Sequence, residues 1–82
     1  MPETDAVRDV RSLKRELLLL EESAMKHSIN SRIRSWYQGQ AYGQANAACR
    51  YGKIDLDTHS LLLTITNSWM TDLPRSLKEI WP

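Results

Sequence analysis

Residues 5–27 read DAVRDVRSLKRELLLLEESAMKH, and this stretch decides the fold. Its apolar residues Ala6, Val10, Leu13, Leu17, Leu20 and Ala24 recur at steps of four, three, four, three and four. A helix with 3.6 residues per turn returns such positions to one face, so the spacing predicts a first helix over 5–27. Thr4 or Asp5 can cap it, the side-chain oxygen accepting a free backbone N–H. Arg8, Arg11, Lys14 and Arg15 lie off the seam, among acids placed for i, i+4 pairing. Leu18 and Leu19 are left over. The four leucines Leu17–Leu20 leave no polar side at that turn, so another element has to cover it. With few covering helices on offer in 82 residues, a second copy of the chain is the expected cover, meeting the first helix, with the second helix as a further contact.

Working outward from that helix, Asn30 or Ser28 can cap a second one over 30–51. Ile33, Trp36, Tyr37, Ala41, Gly43, Ala47, Ala48 and Tyr51 make its wide apolar stripe, with Gln40 and Gln44 in the middle. Gly39, Gly43 and Ala47 follow at four-residue steps. Glycine inside a helix costs about 1 kcal/mol against alanine. Close nesting of the first and third helices against these small residues is the expected compensation. Gly52 after Arg50 and Tyr51 suits a helix C-terminus, and Asp55 or Asp57 can cap a third helix over 56–71. Leu62, Ile65, Trp69 and Leu73 form its core stripe, with Leu61 beside them. Pro74 suits the first turn of a short C-terminal helix capped by Asp72, which Leu77, Ile80 and Trp81 would dock. The Gly52–Asp55 turn is similar to turns in many short helical proteins, those of bacteriophages and plasmids among them. That likeness carries no functional residue. The expectation is an all-α bundle of three helices and a short fourth, residues 1–82 forming one domain, with the second and third helices as an αα-hairpin.

Composition narrows the function. The polar, acidic start MPETDAVRDV is unlike a secretion signal, and the apolar run Leu17–Leu20 is far shorter than the ~20 residues of a membrane span. One cysteine, Cys49, excludes an internal disulfide and a multi-cysteine zinc site, which points to a reducing cytoplasm. His27 and His59 stand apart, without the i, i+4 partner a helical metal site needs. Asp55 and Asp57 lack the glycine and glutamate of a calcium loop. Cys49 has no evident orienting partners for nucleophilic chemistry. The expectation is a protein that is not an enzyme and takes no metal, cofactor or small-molecule substrate.

Charge is segregated. Residues 1–22 hold six acids and four bases, and 55–82 hold four acids and two bases. Residues 23–54 hold five bases (Lys26, Arg32, Arg34, Arg50, Lys53) and no acid. The plainer expectation is that these bases face neighbouring acids. The alternative is nucleic-acid contact through the same five residues, with Trp36, Tyr37 and Tyr51 nearby for stacking. A pI near 7.9 and an acidic start to the third helix argue against it. Protein binding is the favoured class. Glutamines in an apolar stripe are cheaper at an interface than in a core, and aromatic residues dominate binding hot spots. The interface residues expected are Leu17, Leu18, Leu19, Gln40, Tyr42, Gly43 and Gln44, with Trp36 and Trp69 assigned to the core. The function expected is that of a regulator, inhibitor or assembly factor, of the accessory kind that mobile elements carry.

Overall fold

The structure is a computed structural model that describes residues 5–82, with side chains from Arg8 onward. The start cap expected at Thr4 or Asp5 and the seam position Ala6 rest on side chains outside that range. Three helices, α1 (Asp5–Met25), α2 (Arg32–Arg50) and α3 (Leu56–Ser68), precede a 3-10 turn at Leu77–Glu79. The chain is a small all-α bundle.

Side-chain bonds set the packing order. Gln44 on α2 donates to Glu16 on α1 at 3.2 Å, and Lys53 pairs with Asp9 at 3.2 Å. On the other flank, Gln38 donates to Asn67 at 3.1 Å, and the His59 ring bonds Asn46 at 2.7 Å. Residue numbers rise on one side of each pair as they fall on the other, so α1 and α3 both run antiparallel to α2. The core is Leu17 and Ala24 from α1, Ala41 and Ala45 from α2, Leu62, Ile65 and Trp69 from the third helix and its end, and Leu77 from the tail. Apart from Arg34, α2 buries only alanines, Ala48 among them. Short side chains there let the large ones of α1 and α3 meet over its inner face.

Helix ends are made locally. Ser31, rather than Asn30 or Ser28, caps α2 by accepting from the Ile33 N–H. At the far end Gly52 takes φ +71°, while its N–H bonds Cys49 O and the Lys53 N–H bonds Ala48 O at 2.8 Å. This is the double bond pattern of a Schellman stop. A Cβ at Gly52 would meet no atom, so Gly52→Ala isolates the backbone strain. It is expected to cost about 1–2 kcal/mol in urea unfolding, the left-handed penalty alone.

Asp55 caps α3, its carboxylate accepting from the Thr58 N–H at 2.7 Å. Hydrogen bonds from Thr58 hold this carboxyl below the usual aspartate range. A group with a lowered folded pKa stabilises above its unfolded value, about 3.9, and loses that contribution as pH falls through the folded value. The wild-type urea midpoint should therefore decline below about pH 4. In Asp55→Asn, which caps without titrating, that decline should be shallower. Equal pH slopes in the two proteins would show that the charge on Asp55 contributes nothing to stability.

The hydroxyls of α3 are satisfied by its own carbonyls, Thr66 by Leu63 and Ser68 by Ile65. The chain end differs from the expected short helix. Residues 71–76 are irregular, Ser76 rather than Asp72 caps the 3-10 turn, and Leu73 is 84% exposed rather than in the core. The expected docking residues do dock: Leu77 is fully buried, with Ile80 and Trp81 packed on the core. Glu21 on α1 accepts the Leu77 N–H at 3.1 Å, and Trp69 Nε1 donates to Arg75 O at 3.2 Å.

Candidate protein interface on helix α2

The α1 leucines are mostly accounted for inside one chain. Leu17 is fully buried, which removes it from any interface, and Leu13, Leu18 and Leu20 pack against the core. Leu18 lines an open groove of about 320 Å³ with Glu21, Ser76 and Lys78, so the docked tail supplies cover that the sequence assigned to a second copy. Leu19 alone of the four leucines is left out, 57% exposed.

The unpartnered apolar surface lies on α2. Its buried row is Arg34, Ala41, Ala45 and Ala48, and its two flanks are taken by the cross-helix bonds of Gln44, Gln38 and Asn46. The remaining arc carries Arg32, Trp36, Gly39, Gly43, Ala47 and Arg50, all exposed. Trp36 is 59% exposed, against the expectation of a core tryptophan, and Ile33 is 50% exposed. Tyr37 braces Trp36 edge to face, ring centres 5.2 Å apart, and stacks on His27 at 6.0 Å. No atom lies within 4 Å of where a Cβ would stand on Gly39 or Gly43. The glycines therefore do not serve nesting of α1 and α3, as the sequence suggested. Gln40 is exposed rather than set in an apolar floor, Tyr42 is exposed as expected, and Gln44 is half-buried against Glu16.

The basic segment divides. Arg34 is buried, its Nε donating to Trp69 O at 2.7 Å and its Nη1 to His27 O at 3.0 Å. It closes the C-terminal ends of α3 and α1, where helix dipoles present partial negative charge, and is unavailable to nucleic acid. Lys53 is engaged with Asp9. Lys26, Arg32 and Arg50 are exposed, and no ion pair holds them among the described residues. The acids they were expected to face lie elsewhere.

The sequence carried one signal for this face that went unread. Ala41, Ala45 and Ala48 continue the helical row begun by Arg34, and taking alanine rather than tryptophan as the core marker turns α2 around. Among the described residues no three histidine, cysteine, aspartate or glutamate side chains gather as a metal site, and no helix is long and apolar enough to cross a membrane. The chain matches no protein-family model, no curated protein and no solved structure.

Proposed function

We propose that this chain is a non-catalytic binding protein that recognises another protein, as a regulator, inhibitor or assembly factor of the kind mobile elements carry, and that it acts as a homodimer in a reducing cytoplasm. The observation that carries this reading is Trp36, more than half exposed on a helix face that nothing in the fold covers. Tryptophan beside arginine is the composition of binding hot spots, and more than half of the ring stays in water although Tyr37 braces its edge. Immobilised wild-type chain should retain a protein from its native cell, a second copy of this chain counted among the candidates, that Trp36→Ser does not. Retention should persist through nuclease treatment and moderate salt. Equal capture by Trp36→Ser would overturn the assignment of this face.

A second reading has its own support. Lys26, Arg32 and Arg50 are exposed without an ion-pair partner among the described residues, which suits phosphate contact. Under that reading capture falls away with nuclease, and affinity drops steeply between low and moderate salt. Arg32→Glu tests it without touching the buried Arg34.

A further inference from the structure

We infer that the homodimer forms through α2 packed antiparallel on α2 of a second copy, crossing at Gly43, with Trp36 of each chain against Arg50 of the partner subunit. This rests on the homodimer reading above and moves the contact from Leu18 and Leu19 of α1 to a defined face and register on α2.

The spacing carries the inference. In an antiparallel pair related by a two-fold axis at Gly43, each residue comes level with the one equally far on the other side of Gly43. Trp36 and Arg50 each stand seven residues away, and Gly39 and Ala47 each stand four away. All five positions belong to the exposed arc. The face thus maps onto itself: aromatic ring onto guanidinium at both ends, glycine onto alanine inside them, glycine onto glycine at the crossing. Open space at Gly39 and Gly43 lets the backbones approach, and small residues at a crossing are what close helix contact requires.

Charge selects the direction. α2 holds no acid, and Arg50 makes no ion pair or hydrogen bond among the described residues. A parallel pair would set Arg50 against Arg50 and Arg32 against Arg32. The antiparallel pair separates the two Arg50 positions by fourteen residues of helix, about 21 Å, well beyond the screening length of ~8 Å at physiological salt. It gives each guanidinium an indole face instead, an attraction that strengthens as water leaves. Leu56 stands one turn before His59, whose ring bonds Asn46, so it flanks the C-terminal end of α2, 73% exposed. It offers an apolar shoulder to the incoming Trp36. A single helix pair is a small interface, under the standard ~1,600 Å², so the dimer should dissociate reversibly in the micromolar range.

Sedimentation velocity on the full chain, from about 5 to about 300 µM, reads the equilibrium. Wild type should shift from monomer to dimer. Gly43→Leu, which fills open space, should keep its helical content, unfold no earlier than wild type and weaken association at least about tenfold. Register is read by cross-linking in a Cys49→Ser background. Gly43→Cys should form a disulfide dimer on mild oxidation. Gly39→Cys and Ala47→Cys should link to each other when mixed, and neither should link when alone, because like positions lie about 12 Å apart along the axis. A wild-type dimer that survives Gly43→Leu, with no link at Gly43→Cys, would sink this interface and leave the homodimer reading standing. A wild type that stays monomeric throughout the range would sink both.

Discussion

Arg34→Ala is expected to destabilise the fold by about 3–5 kcal/mol, the loss of two charge-assisted hydrogen bonds in a buried setting. The guanidinium makes two charge-assisted bonds, to Trp69 O and His27 O. Each such bond contributes roughly 1.5–3 kcal/mol, and its loss leaves a desolvated carbonyl. The residue is only 8% exposed, so water replaces little of what is lost. A domain of this size has a total stability of about 4–12 kcal/mol, so the variant sits near the edge of folding. Arg34→Lys should lose roughly half as much, since a single ammonium on a flexible stem does not reproduce the fork that spans both carbonyls. Urea unfolding followed by circular dichroism gives both numbers. A loss under about 1 kcal/mol for Arg34→Ala would mean that the two helix ends are held by something else. The same result governs any test of the basic segment. Variants at Arg34 that lose binding report lost structure, whereas Arg32→Glu and Arg50→Glu report the surface.

Trp69→Ala should cost a comparable amount, about 3–5 kcal/mol, the usual toll for truncating a buried tryptophan. Trp69 is wholly buried, and among the described residues it is the largest side chain that is so. It also couples three elements. Its carbonyl receives Arg34, its indole N–H reaches Arg75 O at 3.2 Å, and it shares the core with Leu77. Beyond the global loss, amide exchange at residues 77–81 should rise towards that of an undocked tail. Trp69→Phe keeps most of the apolar volume but not the indole N–H. It should lose only about 1–2 kcal/mol and leave the tail docked. A tail that stays protected in Trp69→Ala would place its anchorage on α1, through Glu21 and Leu18, rather than on Trp69.

The legible part of the fold was the part that local rules control. The four-three seam of α1, the glycine stop at Gly52 and the aspartate cap at Asp55 each depend on residues within a turn or two, and each stands where expected. The stripe expected on α2 is only partly right, with Ala41, Ala48 and Tyr37 facing the core but Ile33, Trp36, Gly43, Ala47 and Tyr51 facing out, for the opposite reason. Its hydrophobic pattern is weak, since the residues it buries beside Arg34 are alanines, and Trp36 with Ile33 pulled the apparent stripe onto the outer face. The sequence alone makes Arg34 a surface cation, because a buried arginine is rare. What makes it tolerable are two carbonyls seven and thirty-five residues away.

The candidate site shows the same division. Tyr42 is exposed and Arg32 and Arg50 are exposed cations, as local sequence reading has them, whereas the exposure of Gln40 and Gly43 departs from the packed stripe in which the sequence places them. Leu17 and Leu18 failed as interface residues because the irregular tail, which has no periodicity to announce it, folds back beside α1. The approximate positions of the three helices, the stop at Gly52, the cap at Asp55 and the segregation of charge were therefore settled by the amino-acid order itself, since turns of helix and their caps involve only near neighbours. Which side of α2 faces out was settled only when α1, α3 and the tail came together. Burial is a property of the assembled bundle, and alanine, arginine and tryptophan each take either side according to what packs against them.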